Sequence, residues 1–287
     1  SICSRATLNI SYISCFRDLL QVFMPPVIAL TAASFGIHTA INFLTGAVLG
    51  RCSPHYQKLT TGYQQQARSL GVSFWHAVVA AIFGIAALLF DNVYQDPLVS
   101  TSDYVPLAAT WSLSYFVYDA LNDARLAIFC PTFDAWSWLF LVHHVLGAAT
   151  LILYFTTHPP LYSSFLASAL ATEVSTPAVN IRWFAMHLGW GDAAEFAAGL
   201  LMLVLFLFAR IPFCLYANFV GFKHRTAMLS YIASGEHVAL TVTMIMALLC
   251  GACINLYWAS LMVRGAIAAI LGPSKGDEAE ADDKKKD

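Results

Sequence analysis

The chain has 287 residues, of which 59% are hydrophobic and only 11% charged, with a net charge of -2 and a mean hydropathy of +0.65. A water-facing domain carries about 25% charged residues, so this composition excludes an ordinary soluble protein. The charge balance and the lack of a long basic stripe exclude a nucleic-acid partner.

What charge exists is segregated. The tail Lys275–Asp287 holds ten of the thirty-two Lys, Arg, Asp and Glu residues, which leaves the rest poorer in charge still. Seven cysteines, an odd number mostly within or beside apolar stretches, do not describe a disulfide framework. Cys250 and Cys253 form a CxxC inside an apolar span with no second pair, which points to packing. The chain starts at Ser1, as a processed or incomplete sequence would, and has no identifiable cleavable signal peptide.

A helix needs about 20 mostly apolar residues to cross a hydrocarbon core. In chain order the sequence predicts spans over Val22–Leu49, Val72–Phe90, Tyr104–Phe129, Trp138–Phe155, Leu161–Ile181, Ala194–Phe219 and His237–Val263. Glu173 and Pro177 interrupt the fifth, so the fold class is all-α, a polytopic membrane bundle of 6–7 transmembrane helices. Arg210 and Pro212 predict a kink in the sixth span. Gly46 and Gly50 form a GxxxG, a spacing that brings membrane helices close. Trp136, Trp138, Trp183 and Trp190 fall near span ends, as interfacial aromatic residues do.

The Lys/Arg bias puts the C-terminus in the cytosol. The tail 266–287 reads as disordered and polar. Its last residues, Lys284-Lys285-Lys286-Asp287, fit a dilysine pattern for retrieval to the endoplasmic reticulum, and Asn9-Ile10-Ser11 is a glycosylation sequon on the predicted lumenal side.

An ionised residue at mid-bilayer costs about 2.5–3.5 kcal/mol on insertion scales, so each needs a reason. The third span carries Tyr115, Asp119 and Asp123 at i, i+4, i+8 on one face, with Asn122 beside them. The fourth carries His143-His144, and the fifth Glu173, Ser175, Thr176 and Asn180, with Arg182 just beyond. The three segments are consecutive and joined by short loops, so they are expected to be neighbours and to form a polar pocket. Two blander readings stand beside this one: histidines capped by backbone carbonyls or hydroxyls, and Asp119 and Asp123 as a hydrated helix end beside Arg125. Two carboxylates and a histidine pair could hold a metal. Membrane di-iron hydroxylases need many more histidines than this, so no metal is expected. The seventh span has no Lys for a retinal Schiff base, and no GxSxG, P-loop or HExxH motif occurs.

Taken together, Asp119 in SYFVYD, His143-His144 in LFLVHHVLG, the run Thr172-Glu173-Val174-Ser175-Thr176-Pro177, then Asn180-Ile181-Arg182-Trp183, Ala209-Arg210-Ile211-Pro212 and Asn255-Leu256-Tyr257-Trp258 resemble the TLC-domain family, which includes the ceramide synthases. The likeness runs over 63–265, preceded by an N-terminal segment (1–21) and a first helix and loop (22–62). The resemblance implies a compact bundle around a cavity that holds an acyl chain, and a role in lipid synthesis, transport or homeostasis. Membrane lipids, and protein partners in a membrane complex, are its expected company. The endoplasmic reticulum is the expected location, with an organellar membrane such as the mitochondrial one as the alternative.

Ceramide synthases use an adjacent histidine pair for acyl transfer, which His143 and His144 match. Where they carry a further His-Asp pair, this chain has Thr172-Glu173, so it looks more like the ELSTP-type members. Three functional readings follow. The first is a lipid-binding protein whose Asp119, Asp123, Glu173, Asn180, Arg182 and Arg210 orient a head group. The second is a lipid N-acyltransferase, with His143 or His144 as base, Asp119 or Glu173 as its orienter and acyl-CoA as donor. The third is a structural subunit of a larger membrane complex. None calls for a cofactor.

Overall fold

A computed structural model describes residues 2–129, 135–157 and 161–271. Every regular element among them is helical, and five helices are long and apolar enough to cross a membrane. In chain order these are α1 (Ile2–Cys52), the short α2 (Pro54–Lys58), α3 (Thr61–Phe90), α4 (Tyr104–Phe129) and α5 (Ala135–Phe155). Then come α6 (Ser163–Ala171), a 3₁₀ turn over Thr172–Ser175, α7 (Thr176–His187) and α8 (Asp192–Leu205). After a π-turn over Phe206–Arg210 follow α9 (Ile211–Lys223), α10 (Arg225–Ser234) and α11 (Val238–Leu271). Of the tail expected over 266–287, residues 266–271 continue α11 as helix; the remainder with its lysine run, the side chain of Trp136, and Cys130 lie outside what is described.

The apolar spans lie over 26–52 in α1, α3, 138–155 in α5, α8 through α9, and 238–268 in α11. The predicted third span is present as α4 with the predicted bounds, but it is not apolar enough to rank with the five. Its 26 residues still extend about 39 Å at 1.5 Å per residue. Helices α1, α3 and α5 pack around it, and Ser114, Asp119, Asn122 and Asp123 find polar neighbours on them. The predicted fifth span is broken into α6, the 3₁₀ turn and α7, as Glu173 and Pro177 foretold. The predicted first span begins at Val22, whereas α1 begins at Ile2 and runs through Pro25-Pro26 and the sequon.

Helix contacts close into a circuit, α3 to α4, α5, α11, α9, α6 and back to α3. Outside it, α1 packs on α3 and α4, while α7 joins α3 to α8. Glycine sets two of these approaches. A Cβ on Gly84 would stand 2.6 Å from the Ala171 backbone nitrogen and 2.9 Å from the Ala167 carbonyl oxygen, so α3 and α6 touch backbone to backbone there. Gly46 of the GxxxG abuts the Arg68 side chain of α3, so this glycine serves an approach within the chain.

The loop between α3 and α4 is tied down by one carboxylate. Asp91 Oδ2 accepts from the Ser102 hydroxyl and from the backbone N–H of Asp103 at 3.0 Å, while Ser102 Oγ caps Tyr104 and Val105. A negative group at a helix N-terminus also meets the positive end of its dipole. Two further bonds fix the start of α6: Tyr162 N–H donates to the Leu98 carbonyl at 2.8 Å, and the Tyr162 hydroxyl meets Thr241 Oγ1 of α11 at 2.8 Å.

Polarity is distributed the opposite way to that of a water-soluble domain. Phe43, Phe208 and Phe222 are 69%, 78% and 67% exposed, while His38, His76, Asp119, His144 and Arg210 are buried. Only a surrounding hydrocarbon makes that arrangement favourable. Trp138 and Trp190 are exposed on the same outer surface.

Candidate functional site

The spacing of Tyr115, Asp119 and Asp123 lays all three on one side of α4. His144 of α5 faces them. Its Nδ1 stands 3.4 Å from Asp119 Oδ2 and 3.4 Å from Asp123 Oδ2. Asp119 is buried and doubly held: Ser69 of α3 donates to Oδ1 at 2.6 Å, and the Tyr115 hydroxyl donates to Oδ2 at 3.2 Å. Beside it, Gln65 donates to Asn122 Oδ1 at 2.8 Å. Phe116, Tyr115 and Phe140 surround the His144 ring at 5.7, 5.7 and 6.4 Å between centroids.

Neither blander reading describes His144 or Asp119. His144 turns its Nδ1 to two carboxylates rather than to a backbone cap. Asp119 is buried, and Arg125, which is exposed, forms no ion pair with either aspartate among the described residues. Both contacts are long, however. Among the described residues, neither His144 Nδ1 nor Asp123 Oδ2 makes a well-formed hydrogen bond, although both atoms are shielded from solvent. His143 is half-buried beside Phe116 at 6.2 Å. The three ligand atoms of Asp119, Asp123 and His144 lie within 4.8 Å of one another, a spacing at which a metal ion could be held.

A second polar group forms around Arg210, at the π-turn where the sequence predicted a kink. Pro212 has no N–H to donate to the carbonyl four residues back, and the helix widens into a π-turn ahead of it. Arg210 Nε donates to Asn255 Oδ1 of α11 at 2.9 Å. Its Nη1 donates to Ser175 Oγ at 3.1 Å and Thr176 Oγ1 at 3.0 Å, and Nη2 lies 3.5 Å from Glu173 Oε1. Thr176 in turn donates to Glu173 Oε2 at 2.6 Å. The guanidinium also lies over the Phe206 and Trp258 rings. One arginine thus gathers the Glu-x-Ser-Thr segment, the Ala-Arg-Ile-Pro segment and the Asn-x-x-Trp segment.

Two expected site residues lie elsewhere. Asn180 is 2% exposed and donates from Nδ2 to the Leu70 carbonyl at 3.3 Å, which ties α7 to α3. Arg182 is 38% exposed and its partner is Glu195 of α8, at 4.0 Å. Glu173 is therefore served by Arg210, not by Arg182.

Sequence reasoning passed over His38 of α1 and His76 of α3. Both are buried, at 0% and 1% exposed. His38 Nδ1 meets Ser114 Oγ at 3.2 Å, and His76 stacks on Tyr115 at 3.9 Å with 10° between planes. Among the described residues, His38 Nε2 and both nitrogens of His76 lack hydrogen-bond partners. Tyr115 therefore joins these imidazoles to Asp119 and His144. The available signal was a single histidine in each of two otherwise apolar spans.

A helical bundle with an apolar exterior and a core of carboxylates, imidazoles and one guanidinium defines a multi-pass membrane protein with a polar centre. The chain belongs to the TLC domain family, whose sequence profile matches residues 66–264. It is 26% identical over 272 residues to TLC domain-containing protein 4-B of Danio rerio, covering 92% of this chain and 96% of that protein. It is 25% identical over 241 residues to an uncharacterized TLC domain-containing protein of Schizosaccharomyces pombe, covering 83% and 77%. It is also 26% identical over 185 residues to protein CLN8 of Mus musculus, covering 60% and 63%. No solved structure matches it significantly.

Proposed function

We propose that this protein handles an acyl-chain lipid inside the membrane, with the Asp119–Asp123–His144 group orienting the head group and the apolar helices sheltering the chain. The observation that carries this reading is His144, buried between two carboxylates with its Nδ1 3.4 Å from each. Binding sites combine a mostly apolar lining with a few convergent polar groups. Intramembrane ionisable residues usually mark functional sites.

The test is native lipid mass spectrometry of protein purified in mild detergent, with wild type beside the His143→Ala/His144→Ala variant. A specific acyl lipid retained by wild type and lost from the variant supports the reading. Bulk phospholipid alone in both samples sinks it.

The contact between His144 and Asp119 favours a second reading, an acyl-CoA-dependent lipid N-acyltransferase. Here Asp119 would hold the His144 tautomer through Nδ1, and Nε2 would take the proton of an attacking amine as the thioester breaks and the thiol leaves. The 3.4 Å separation lies outside the range of a closed hydrogen bond, so this reading requires the pair to tighten when substrate binds. Glu173 is a poorer orienter, because Arg210 and Thr176 already engage its oxygens. Turnover assays with acyl-CoA and a long-chain amine decide between binding and transfer.

A further inference from the structure

We propose that Asp119, Asp123 and His144 form a binding site for a first-row divalent cation of the Zn²⁺, Mn²⁺ or Fe²⁺ kind.

The geometry is the first support. Ligands about 2.0–2.1 Å from a tetrahedral centre stand roughly 3.3–3.4 Å apart. His144 Nδ1 is 3.4 Å from an oxygen of each aspartate, and all three ligand atoms fit within 4.8 Å. These separations suit two ligands of one ion better than a donor and its acceptor.

Unused bonding capacity is the second. Buried polar atoms almost always have a hydrogen-bond partner. His144 is 7% exposed, yet among the described residues its Nδ1 makes no well-formed hydrogen bond although it lies 3.4 Å from each of two carboxylates, and Asp123 Oδ2 makes none either. A cation between them would satisfy both atoms at once.

Charge is the third. Two carboxylates inside an apolar bundle need compensation. Among the described residues no Lys or Arg forms an ion pair with either: Arg210 is engaged by Glu173, Arg182 by Glu195, and Arg68 Nε by the Tyr56 hydroxyl. A divalent cation neutralises the two aspartates while His144 stays uncharged and free to ligate.

The surroundings are those of a built site. Ligating side chains are normally oriented by outer hydrogen bonds. Ser69 and Tyr115 supply these to the two oxygens of Asp119, and the Phe116, Tyr115 and Phe140 rings confine the His144 ring. Carboxylates four residues apart on one helix, facing a histidine on the next, follow the way helix bundles place metals in their cores. One imidazole and two carboxylates are a mixed donor set, which favours borderline first-row ions over Ca²⁺ or Cu⁺. Three protein ligands leave at least one position for water or an oxygen of a bound molecule, such as a phosphate or carboxyl group. The inference does not depend on the lipid reading, since the cation needs only the three side chains.

The full chain, purified in detergent by an epitope tag and without chelator, is analysed for bound transition metals. It is then chelator-treated and titrated with Co²⁺, whose visible d–d absorption reports coordination. The expected result is saturation at about one Co²⁺ per chain, with bands displaced by Zn²⁺. The bands should be absent in His144→Ala, unchanged in Glu195→Gln, and need at least about tenfold more Co²⁺ in Asp123→Asn. If His144→Ala does not fold, the near-isosteric Asp123→Asn decides alone. Absent or unsaturable bands would overturn the proposal, leaving His144 as a protonated partner of the aspartates. So would identical bands in wild type and Asp123→Asn, which would be adventitious binding. Lipid content measured on the same samples separates the two readings, because lipid retained by protein with no cation site contradicts this inference alone.

Discussion

Arg210 Nη2 stands 3.5 Å from Glu173 Oε1, and with side chains 9% and 16% exposed these two residues form a charge pair inside the bundle. They come from a π-turn and a 3₁₀ turn, two breaks in otherwise regular helices. The irregular backbone and the buried charge occupy one place, where protein rather than lipid surrounds both.

Arg210→Ala leaves Glu173 buried without its cation and removes four polar contacts. Removing one partner of such a pair costs about 3–5 kcal/mol, whereas replacing both is far milder. Thermal unfolding in detergent is expected to show Arg210→Ala as severely destabilised, with Arg210→Met/Glu173→Gln recovering a substantial part. Equal loss in the single and double variants would mean that the pair does not act as a unit.

At Gly84 any side chain meets backbone of α6. Gly84→Val is expected to destabilise by about 1–3 kcal/mol through overpacking. Gly251→Ala, where nothing lies within 4 Å of the added carbon, should be neutral or gain up to ~1 kcal/mol of helix propensity. Similar unfolding temperatures for the two variants would contradict the backbone contact between α3 and α6.

Asn180 and Arg182 separate a structural tie from a surface pair. Asn180→Ala should cost about 1 kcal/mol or more, because it deletes a bond in a buried place. Arg182→Ala should cost only ~0.2–1 kcal/mol, as exposed ion pairs do. Neither should alter which lipid co-purifies. Loss of a specific lipid in Arg182→Ala, with stability unchanged, would return Arg182 to the site.

Asp119 and His144 should be energetically coupled. A double-mutant cycle of Asp119→Asn and His144→Ala on thermal stability is expected to give about 0.5–3 kcal/mol of non-additivity. Strict additivity would show the 3.4 Å approach to be incidental.

Much of this was legible in the sequence, and the remainder shows what a sequence withholds. The helices and their approximate limits follow from apolar runs, because hydrocarbon demands length and saturated backbone bonds. The shared face of Tyr115, Asp119 and Asp123 follows from helical periodicity, and the irregularity at Arg210 from Pro212. The partner of Glu173 did not follow. Arg182 is nearer in sequence, but α7 carries it to the surface while the π-turn brings Arg210 in. His38 and His76 were passed over because a lone histidine in an apolar run signals nothing until packing shows its ring nitrogens without partners. Asn180 looked like a site residue because periodicity cannot tell a side chain that ties two helices from one that faces a ligand.

Whether a lipid binds at the polar group around His144 can be read directly from where a bound lipid reacts. The most direct measurement uses a long-chain lipid bearing a photoreactive diazirine near its head group, crosslinked in membranes and mapped by peptide mass spectrometry. Crosslinks are expected on α4 and α5 around Tyr115, Asp119 and His144, diminished by excess unlabelled lipid. Crosslinks confined to the outward-facing surface around Phe43, Phe208 and Phe222, with no competition, would contradict it.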